Sequence, residues 1–288
     1  MSSQLLRSNF SRIYAVCSLE CRLLAKSVTN WAIVTGVFVL FAVPALLTPE
    51  GGTGTPEESP LVVLEETHSI SAYYWFQGID IFIIFLPLLA LLFGYGTFSA
   101  DRETGSLTVL GSLPITRVDI YLGKAFARIG VFSVVVLVGV LIGWVCVSVL
   151  DSTSTVASVT HLVAGLPTVV FAVGLVSIAV AISGLLDTRL QTLTGAIVGY
   201  FALIFGAVSI FDAVPVAIVG HPFHGYSVLV AFLFDSMYPP LRLFLSSRNG
   251  SLLELLVTEP VALVVLLVWV CCPLAIGYLG FRREVFTP

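Results

Sequence analysis

The sequence predicts an all-α membrane protein with six transmembrane helices. Hydrophobic residues make up 58% of its 288 residues and charged residues only 10%, whereas an ordinary soluble domain is about 25% charged. The mean hydropathy is +1.05. Apolar runs of about 20 residues recur along the chain, and a helix of that length crosses about 30 Å of hydrocarbon. Because lipid offers backbone groups no partners, each run is predicted as a helix, and residues 1–288 as one transmembrane domain.

The first element is an amphipathic helix, predicted over residues 1–27. Its apolar residues recur at helical spacing and its basic residues lie off that stripe; the stripe is Leu6, Phe10, Ile13, Tyr14, Cys17, Cys21 and Leu24. Such a helix lies along the inner membrane surface or packs against the protein's own cytoplasmic loops, and both can hold.

Six spans are predicted next, over residues 31–47, 79–98, 129–150, 162–186, 193–211 and 261–281. An even number of crossings puts both termini on one side of the membrane. All but two of the 13 basic residues, Arg242 and Arg248, then lie on that side, and basic residues mark the cytoplasmic side. The prediction is a multi-pass plasma-membrane protein with both termini in the cytoplasm.

Two segments outside the predicted spans lie on the opposite, external face. Residues 51–59 are rich in Gly, Thr, Pro and Glu and are predicted as a solvated loop. Residues 212–260 hold apolar pieces broken by prolines, and a seventh crossing there would move Arg282 and Arg283 outside. They are therefore predicted as a re-entrant or surface-lying element before the last span, tolerated at membrane depth only if it is buried in protein.

Several function classes are disfavoured by what the sequence lacks. No predicted span carries a charged residue near its middle, the usual mark of proton relays and ion paths. Gly123-Lys124 lacks the rest of a phosphate-binding loop, so the chain is not expected to bind ATP. The spacing of His221 and His224 fits a copper or zinc contact, but two imidazoles without further ligands favour a plain loop, and no metal site is assigned. The net charge of -4 indicates no nucleic-acid partner.

Small residues four apart occur in two spans, as Gly139 with Gly143 and as Gly195 with Gly199. Such pairs let two helices approach closely. Packing within one chain is one interpretation. Self-association is the other, and Gly195 and Gly199 are the favoured pair for it.

Residues 99–124 form a charged island between the second and third spans. Thr116 and Asp119 fit a capping box, which would start the third helix in the cytoplasm. The preceding piece can form only a short element, ended or kinked around Gly111 and Pro114, which would expose Leu107, Val109 and Leu110 beside charge. An apolar knob with a charged collar is shaped for a groove on another protein; the alternative is a solvated loop with snorkelling arginines.

The chain resembles the type 2 permeases of ABC transporters, in the branch that includes the permease of nitrous-oxide-reductase maturation. The resemblance is carried by Asp101-Arg102-Glu103-x-Gly105-Ser106-Leu107, Leu113-Pro114-Ile115-Thr116-Arg117 and Gly123-Lys124. In that family an interfacial helix precedes six spans, the first cytoplasmic loop holds the coupling helix, and a re-entrant element precedes the last span. Ser106 stands where such permeases often have threonine.

The resemblance implies a permease subunit of an exporter, which forms a homodimer or heterodimer and docks separate ATPase subunits. Those subunits would bind ATP and Mg²⁺, so this chain is expected to be no enzyme and to hold no cofactor. The residues implied in coupling to the ATPase are Asp101, Arg102, Glu103, Gly105, Leu107, Leu110, Pro114, Arg117 and Lys124. In this assignment Arg102 and Glu103 make charged contacts, Leu107 and Leu110 fill a groove, and Gly105 and Pro114 shape the turn. The alternatives are a stand-alone secondary transporter or channel, and the membrane component of a copper-centre maturation machine.

Overall fold

A computed structural model describes residues 2–47, 70–150, 159–213, 219–234 and 258–283. The described residues form helices joined by turns, which confirms the all-α prediction. The helices are α1 Ser2–Lys26, α2 Val28–Leu47, α3 Ile70–Gly94, α4 Ser99–Thr104, α5 Ser106–Gly111, α6 Arg117–Leu150, α7 Val159–Leu185, α8 Arg189–Ala213, α9 Pro222–Phe232 and α10 Glu259–Phe281. The predicted loop over residues 51–59, and residues 214–218 and 235–257 of the predicted external element, lie outside the described part.

Six of the described helices are long and apolar enough to cross a membrane, namely α2, α3, α6, α7, α8 and α10. They match the six predicted spans in number and order. The third of them begins at Arg117, well before the apolar run that starts at residue 129, as the capping box predicts. The protein is therefore a multi-pass membrane protein.

Helix α7 lies at the centre of the bundle and packs against α3, α6, α9 and α10. Of its most apolar stretch 67% is buried, whereas no other spanning helix exceeds 50%. Small residues let α10 approach it closely: a Cβ atom added at Gly184 would lie 2.8 Å from the carbonyl oxygen of Gly277. Most of the other helices therefore pack against α7.

Helix α1 packs on the first turns of α6, which is one of the two placements expected for it. Its buried face consists of Val16, Glu20 and Leu24. Two residues of the predicted apolar stripe, Phe10 and Tyr14, are not part of this buried face and are 71% and 73% exposed. These rings point away from α6, so the helix keeps a second, outward apolar side of the kind that lies on a membrane surface.

Helix α9 runs inside the bundle. The indole Nε1 of Trp269 donates a hydrogen bond to the carbonyl oxygen of Gly220 at 2.9 Å, and Trp269 lies about 15 Å along α10 from Glu259 at 1.5 Å per residue. Gly225, farther along α9, faces Ala262 near the start of α10. The helix thus runs beside the first half of α10, towards its start, and is buried in protein.

The expectation of a plain loop around His221 and His224 is wrong, since both side chains are buried. His221 caps α9, because its Nδ1 accepts a hydrogen bond from the backbone N–H of Phe223 at 3.3 Å. Capping satisfies one of the N–H groups that a helix leaves unpaired at its start. The position of His221 is therefore explained by the local fold.

A buried aromatic cluster lies at the end of the bundle opposite α4 and α5. The Tyr74 hydroxyl donates to the carbonyl oxygen of Phe41 at 2.8 Å, and the His161 ring lies 4.8 Å from that of Tyr74 and 5.3 Å from that of Trp75. Within the described part of the chain, neither ring nitrogen of His161 has a hydrogen-bond partner. Leaving a buried polar group unpaired costs about 1–3 kcal/mol.

His161→Phe is therefore expected to stabilise the protein by about 1 kcal/mol, since phenylalanine keeps the ring and removes the unpaired nitrogens. Thermal unfolding in detergent measures the change. Thr168→Val on the same helix is the control and should destabilise, because the Thr168 hydroxyl lies 3.3 Å from the Tyr226 hydroxyl in the core. A lower unfolding temperature for His161→Phe would contradict this account of the cluster.

Candidate coupling site

The charged segment forms α4 and α5 at one end of the bundle. This end, which also holds Arg117, Lys124, Arg128 and Arg189 in the first turns of α6 and α8, is named here the basic end. Gly105 joins α4 to α5 with φ of +72°, a left-handed conformation that favours glycine. A Cβ atom at Gly105 would meet nothing within 4 Å, so the backbone conformation alone explains the glycine.

Asp101 joins a buried cluster of ion pairs that ties α4 to α6 and α1. The Lys124 ammonium lies 2.6 Å from Asp101 Oδ2 and 2.6 Å from Glu20 Oε2. Arg128 binds the other Glu20 oxygen, with Nη2 at 3.0 Å, and lies over the Phe93 ring. Lys124 and Glu20 are 3% and 4% exposed, and charges so buried are stable only when paired. Asp101, Lys124, Glu20 and Arg128 are named here the ion cluster.

Arg102 ties α4 to the end of α7. Its guanidinium donates hydrogen bonds to the carbonyl oxygens of Ser183 at 2.7 Å, Leu186 at 2.6 Å and Gly184 at 3.2 Å. The last carbonyls of a helix lack intrahelical partners and carry partial negative charge, so a cation there stabilises the helix end. In return the Ser183 hydroxyl accepts the backbone N–H groups of Phe98 and Ser99, at 2.8 and 3.2 Å. The start of α4 and the end of α7 thus cap each other.

Glu103 ties α4 to the start of α8. Its Oε1 accepts the backbone N–H of Arg189 at 2.7 Å, and its Oε2 lies 3.5 Å from Arg189 Nε. A carboxylate at a helix N-terminus is stabilised by the helix dipole. Thr188 and Gln191 add a capping box at the same helix start, with bonds of 3.3 and 3.2 Å.

The three consecutive charges therefore make contacts with three different spanning helices. Asp101 binds α6 through Lys124, Arg102 binds the end of α7, and Glu103 binds the start of α8. Because α4 is only six residues long, a displacement of α4 would move these three helix ends together. We name this arrangement the three-helix clamp.

Three predicted coupling residues differ from their expected placement. The expectation that Leu107 is exposed is wrong: it is 4% exposed and belongs to the core. Leu110, one helical turn later, packs against the same core, because residues three apart share a helix face. Lys124 is also buried, so its charge is used within the chain.

The exposed apolar side of α5 and its following turn includes Val109, as predicted, and two further residues. Val109 is 67% exposed and Leu113 is 49% exposed, and Pro114 is exposed beside them. They are named here the apolar knob. Sequence reasoning identified the knob but assigned two of its side chains to the wrong face, because a six-residue helix shows too few turns for its orientation to be predicted.

Arg117 and the capping box lie where α6 begins. The Thr116 backbone N–H donates to Asp119 Oδ2 at 2.9 Å, and the Asp119 N–H donates to the Thr116 hydroxyl at 3.2 Å, which confirms the predicted box. Arg117 donates to the carbonyl oxygen of Arg282 at the end of α10. The basic end thereby connects α6 to the last helix as well.

Gly195 and Gly199 contact α7 of the same chain. A Cβ atom at Gly195 would lie 2.9 Å from Leu186 and 3.1 Å from Ile182, and one at Gly199 would lie 3.5 Å from Ile182. The structure therefore supports the interpretation of packing within one chain. Gly139 also packs internally, against Phe41, and Gly143 against Tyr74.

Two parts of the site were missed at the sequence level, and each left a signal. Glu20 is the only acidic residue of α1, and it lies four residues from both Val16 and Leu24 on the buried face. An acid at such a position requires a buried cation, and Lys124 and Arg128 are the cations. The sequence from Thr188 to Gln191 has the pattern of a capping box.

A comparison with protein families finds one match, to the model described as ABC-2 family transporter protein, over residues 14–285. The match spans α1 after its first three turns and continues through α10. A comparison with curated proteins finds no match.

Proposed function

The chain belongs to the ABC-2 family of transporter proteins, and from this we propose that it exports its substrate with energy from a separate ATPase subunit. ATP and Mg²⁺ would be bound by that subunit, and two permease chains would form the pathway. Family membership supports a permease subunit of an ABC transporter, and the basic end supplies the reason to propose coupling.

The three-helix clamp carries the proposal. A subunit that pushes on the apolar knob would displace α5, and α5 is joined to α4 by a single residue, Gly105. Because α4 holds the ends of α6, α7 and α8 through side-chain contacts, its displacement would reach all three spanning helices. A solvated loop would make no such set of contacts.

We place the basic end in the cytoplasm. The unequal distribution of Lys and Arg between the two sides of the six spans supports this placement. An ATPase needs cytoplasmic ATP, and the apolar knob lies at this same end. The two observations therefore agree on where an ATPase would dock.

Val109→Glu tests the docking role of the apolar knob. Val109 is exposed, so the fold should persist, whereas a carboxylate desolvated in an apolar groove is unfavourable. We expect the amount of ATPase subunit that copurifies from native membranes to fall about tenfold or more, as at an interface hot spot. Mass spectrometry of the copurified proteins and their ATP hydrolysis rate are the measurements.

Leu190→Glu is the matched control for this substitution. Leu190 is also exposed, at 73%, but it lies in the first turn of α8, where an added carboxylate suits the helix dipole. It should leave copurification within about twofold of the unaltered protein. Equal copurification by the Val109→Glu and unaltered proteins would remove the knob from the proposal, and absence of any ATPase subunit with the unaltered protein would favour a stand-alone transporter.

A further inference from the structure

A cavity of about 250 Å³ lies at the basic end, between the α1–α2 junction and the neighbouring ends of α3, α4 and α8. It borders the ion cluster: Glu20, Asp101 and Arg128 line it, together with Arg189. Its volume is well above the roughly 30 Å³ that one water molecule occupies in the liquid. The cavity can therefore hold a ligand of several heavy atoms.

The polar lining carries two acidic and two basic side chains. Glu20 and Asp101 supply carboxylates, which also bind Lys124, and Arg128 and Arg189 supply guanidinium groups, which also bind Glu20 and Glu103. A simple anion would meet two carboxylates and a simple cation two guanidinium groups, and both cases are unfavourable at low dielectric. A ligand with one positive and one negative group matches this lining, and Ser27 and Thr29 add hydroxyl groups to it.

One part of the remaining lining is apolar. Leu23, Leu24 and Leu92 line the cavity, and Leu23 is also exposed on the outer side of α1. Trp31, one turn into α2, is exposed and donates its indole N–H to the carbonyl oxygen of Ala25 at 2.9 Å. An exposed tryptophan at a helix start is typical of the headgroup level of a membrane. The cavity therefore lies where lipid headgroups are.

We propose that this cavity binds the headgroup of phosphatidylethanolamine. The primary ammonium faces Glu20 and Asp101, the phosphate faces Arg189, and the acyl chains leave past Leu23. A primary ammonium donates three hydrogen bonds to carboxylates, whereas the trimethylated ammonium of phosphatidylcholine donates none. The assignment of the lipid to the cytoplasmic leaflet rests on the proposed placement of the basic end in the cytoplasm. The binding itself requires no ATPase.

The test is a lipid competition with the purified full chain. The protein is placed in nanodiscs of equal parts phosphatidylcholine, phosphatidylethanolamine and phosphatidylglycerol, moved into detergent, and analysed for retained lipid by native mass spectrometry. We expect phosphatidylethanolamine to be retained over each of the others by about tenfold, the effect of one hydrogen bond to a charged group. Equal retention of phosphatidylcholine, or preferential retention of phosphatidylglycerol, would overturn the proposal.

Gly96→Leu fills the cavity without removing a charge. A Cβ atom at Gly96, which lines the cavity, meets only Ala100 within 4 Å, at 3.8 Å. The preference for phosphatidylethanolamine should disappear in this variant. Gly130→Leu is the matched control, because a Cβ atom on that exposed α6 residue meets nothing within 4 Å, and it should keep the preference.

One further variant and one soluble ligand test the phosphate contact and the role of the acyl chains. Arg189→Gln, at an exposed position, should reduce the retention of all three lipids about tenfold without filling the cavity, because each of them carries the phosphate that faces Arg189. Unchanged retention in Arg189→Gln, or an unchanged preference in Gly96→Leu, would overturn the proposal. Soluble phosphoethanolamine should raise the unfolding temperature less than the lipid does, since it lacks the acyl chains. Equal stabilisation by the two would show a site for a free zwitterion and overturn the assignment to a lipid.

Discussion

Lys124→Met is expected to destabilise the protein by about 3–5 kcal/mol, the cost of leaving a buried charge without its partner. The Lys124 ammonium lies 2.6 Å from carboxylate oxygens of both Glu20 and Asp101, and these acids come from α1 and α4. Methionine has a similar length but no charge, so both carboxylates would lose their shared cation. Unfolding in detergent, followed by tryptophan fluorescence, measures the change.

The same substitution should also release α4 from α6. If Asp101 is a coupling contact through Lys124, then stimulated ATP hydrolysis should fall in Lys124→Met at temperatures where the variant is still folded. The double variant Asp101→Asn, Lys124→Met removes one charge of each sign, leaves Glu20 paired with Arg128, and should recover part of the lost stability, because an uncharged polar group is less costly to bury. Arg283→Met, at an exposed end, should change stability by less than about 0.5 kcal/mol. Stability of Lys124→Met equal to that of Arg283→Met would refute the ion cluster.

Gly184→Ala is expected to destabilise the protein by about 1–3 kcal/mol, the usual cost of overpacking. The added methyl group would lie 2.8 Å from the carbonyl oxygen of Gly277, and backbone atoms cannot move aside as a flexible side chain can. Helices α7 and α10 would separate at the basic end, where Gly184 also accepts a hydrogen bond from Arg102. We expect the free energy of unfolding to fall and the geometry of the three-helix clamp to be disturbed.

Gly174→Ala provides the matched comparison on the same face of α7. Its added methyl group would meet the carbonyl oxygen of Trp269 at 3.6 Å, which is ordinary van der Waals contact. It should be neutral or stabilise by up to about 1 kcal/mol, since alanine is the better helix former. Equal thermal stability of the two variants would show that the close approach of α7 and α10 at Gly184 is tolerant of added volume.

The spanning helices were predictable because each depends on a local property of the sequence. An apolar run of about 20 residues must be a helix in lipid, and all six such runs are helices in the structure. The start of α6 was predictable for a similar reason, since Thr116 and Asp119 lie three residues apart and satisfy each other. These features require no knowledge of distant parts of the chain.

The partners of the charged residues could not be predicted, because they depend on contacts between distant segments. Arg102 and Glu103 are placed at a basic end by the sequence, but the groups that they bind lie about 80 residues later, at the end of α7 and the start of α8. The burial of Leu107 likewise depends on how a six-residue helix is rotated against the bundle. Spacing alone identified the segment, whereas packing decides which of its side chains face inward.

Two contacts of the three-helix clamp differ in solvent exposure and should therefore respond differently to salt. The side chains of Glu103 and Arg189 are 42% and 52% exposed, so dissolved ions screen their attraction, over a Debye length of about 8 Å at physiological ionic strength. Lys124 and Glu20 are only 3% and 4% exposed, and a buried pair is screened much less. A high salt concentration would therefore weaken the contact of α4 with α8 first, while its contact with α6 persists. The ionic strength would then determine how many spanning helices move when α4 is displaced.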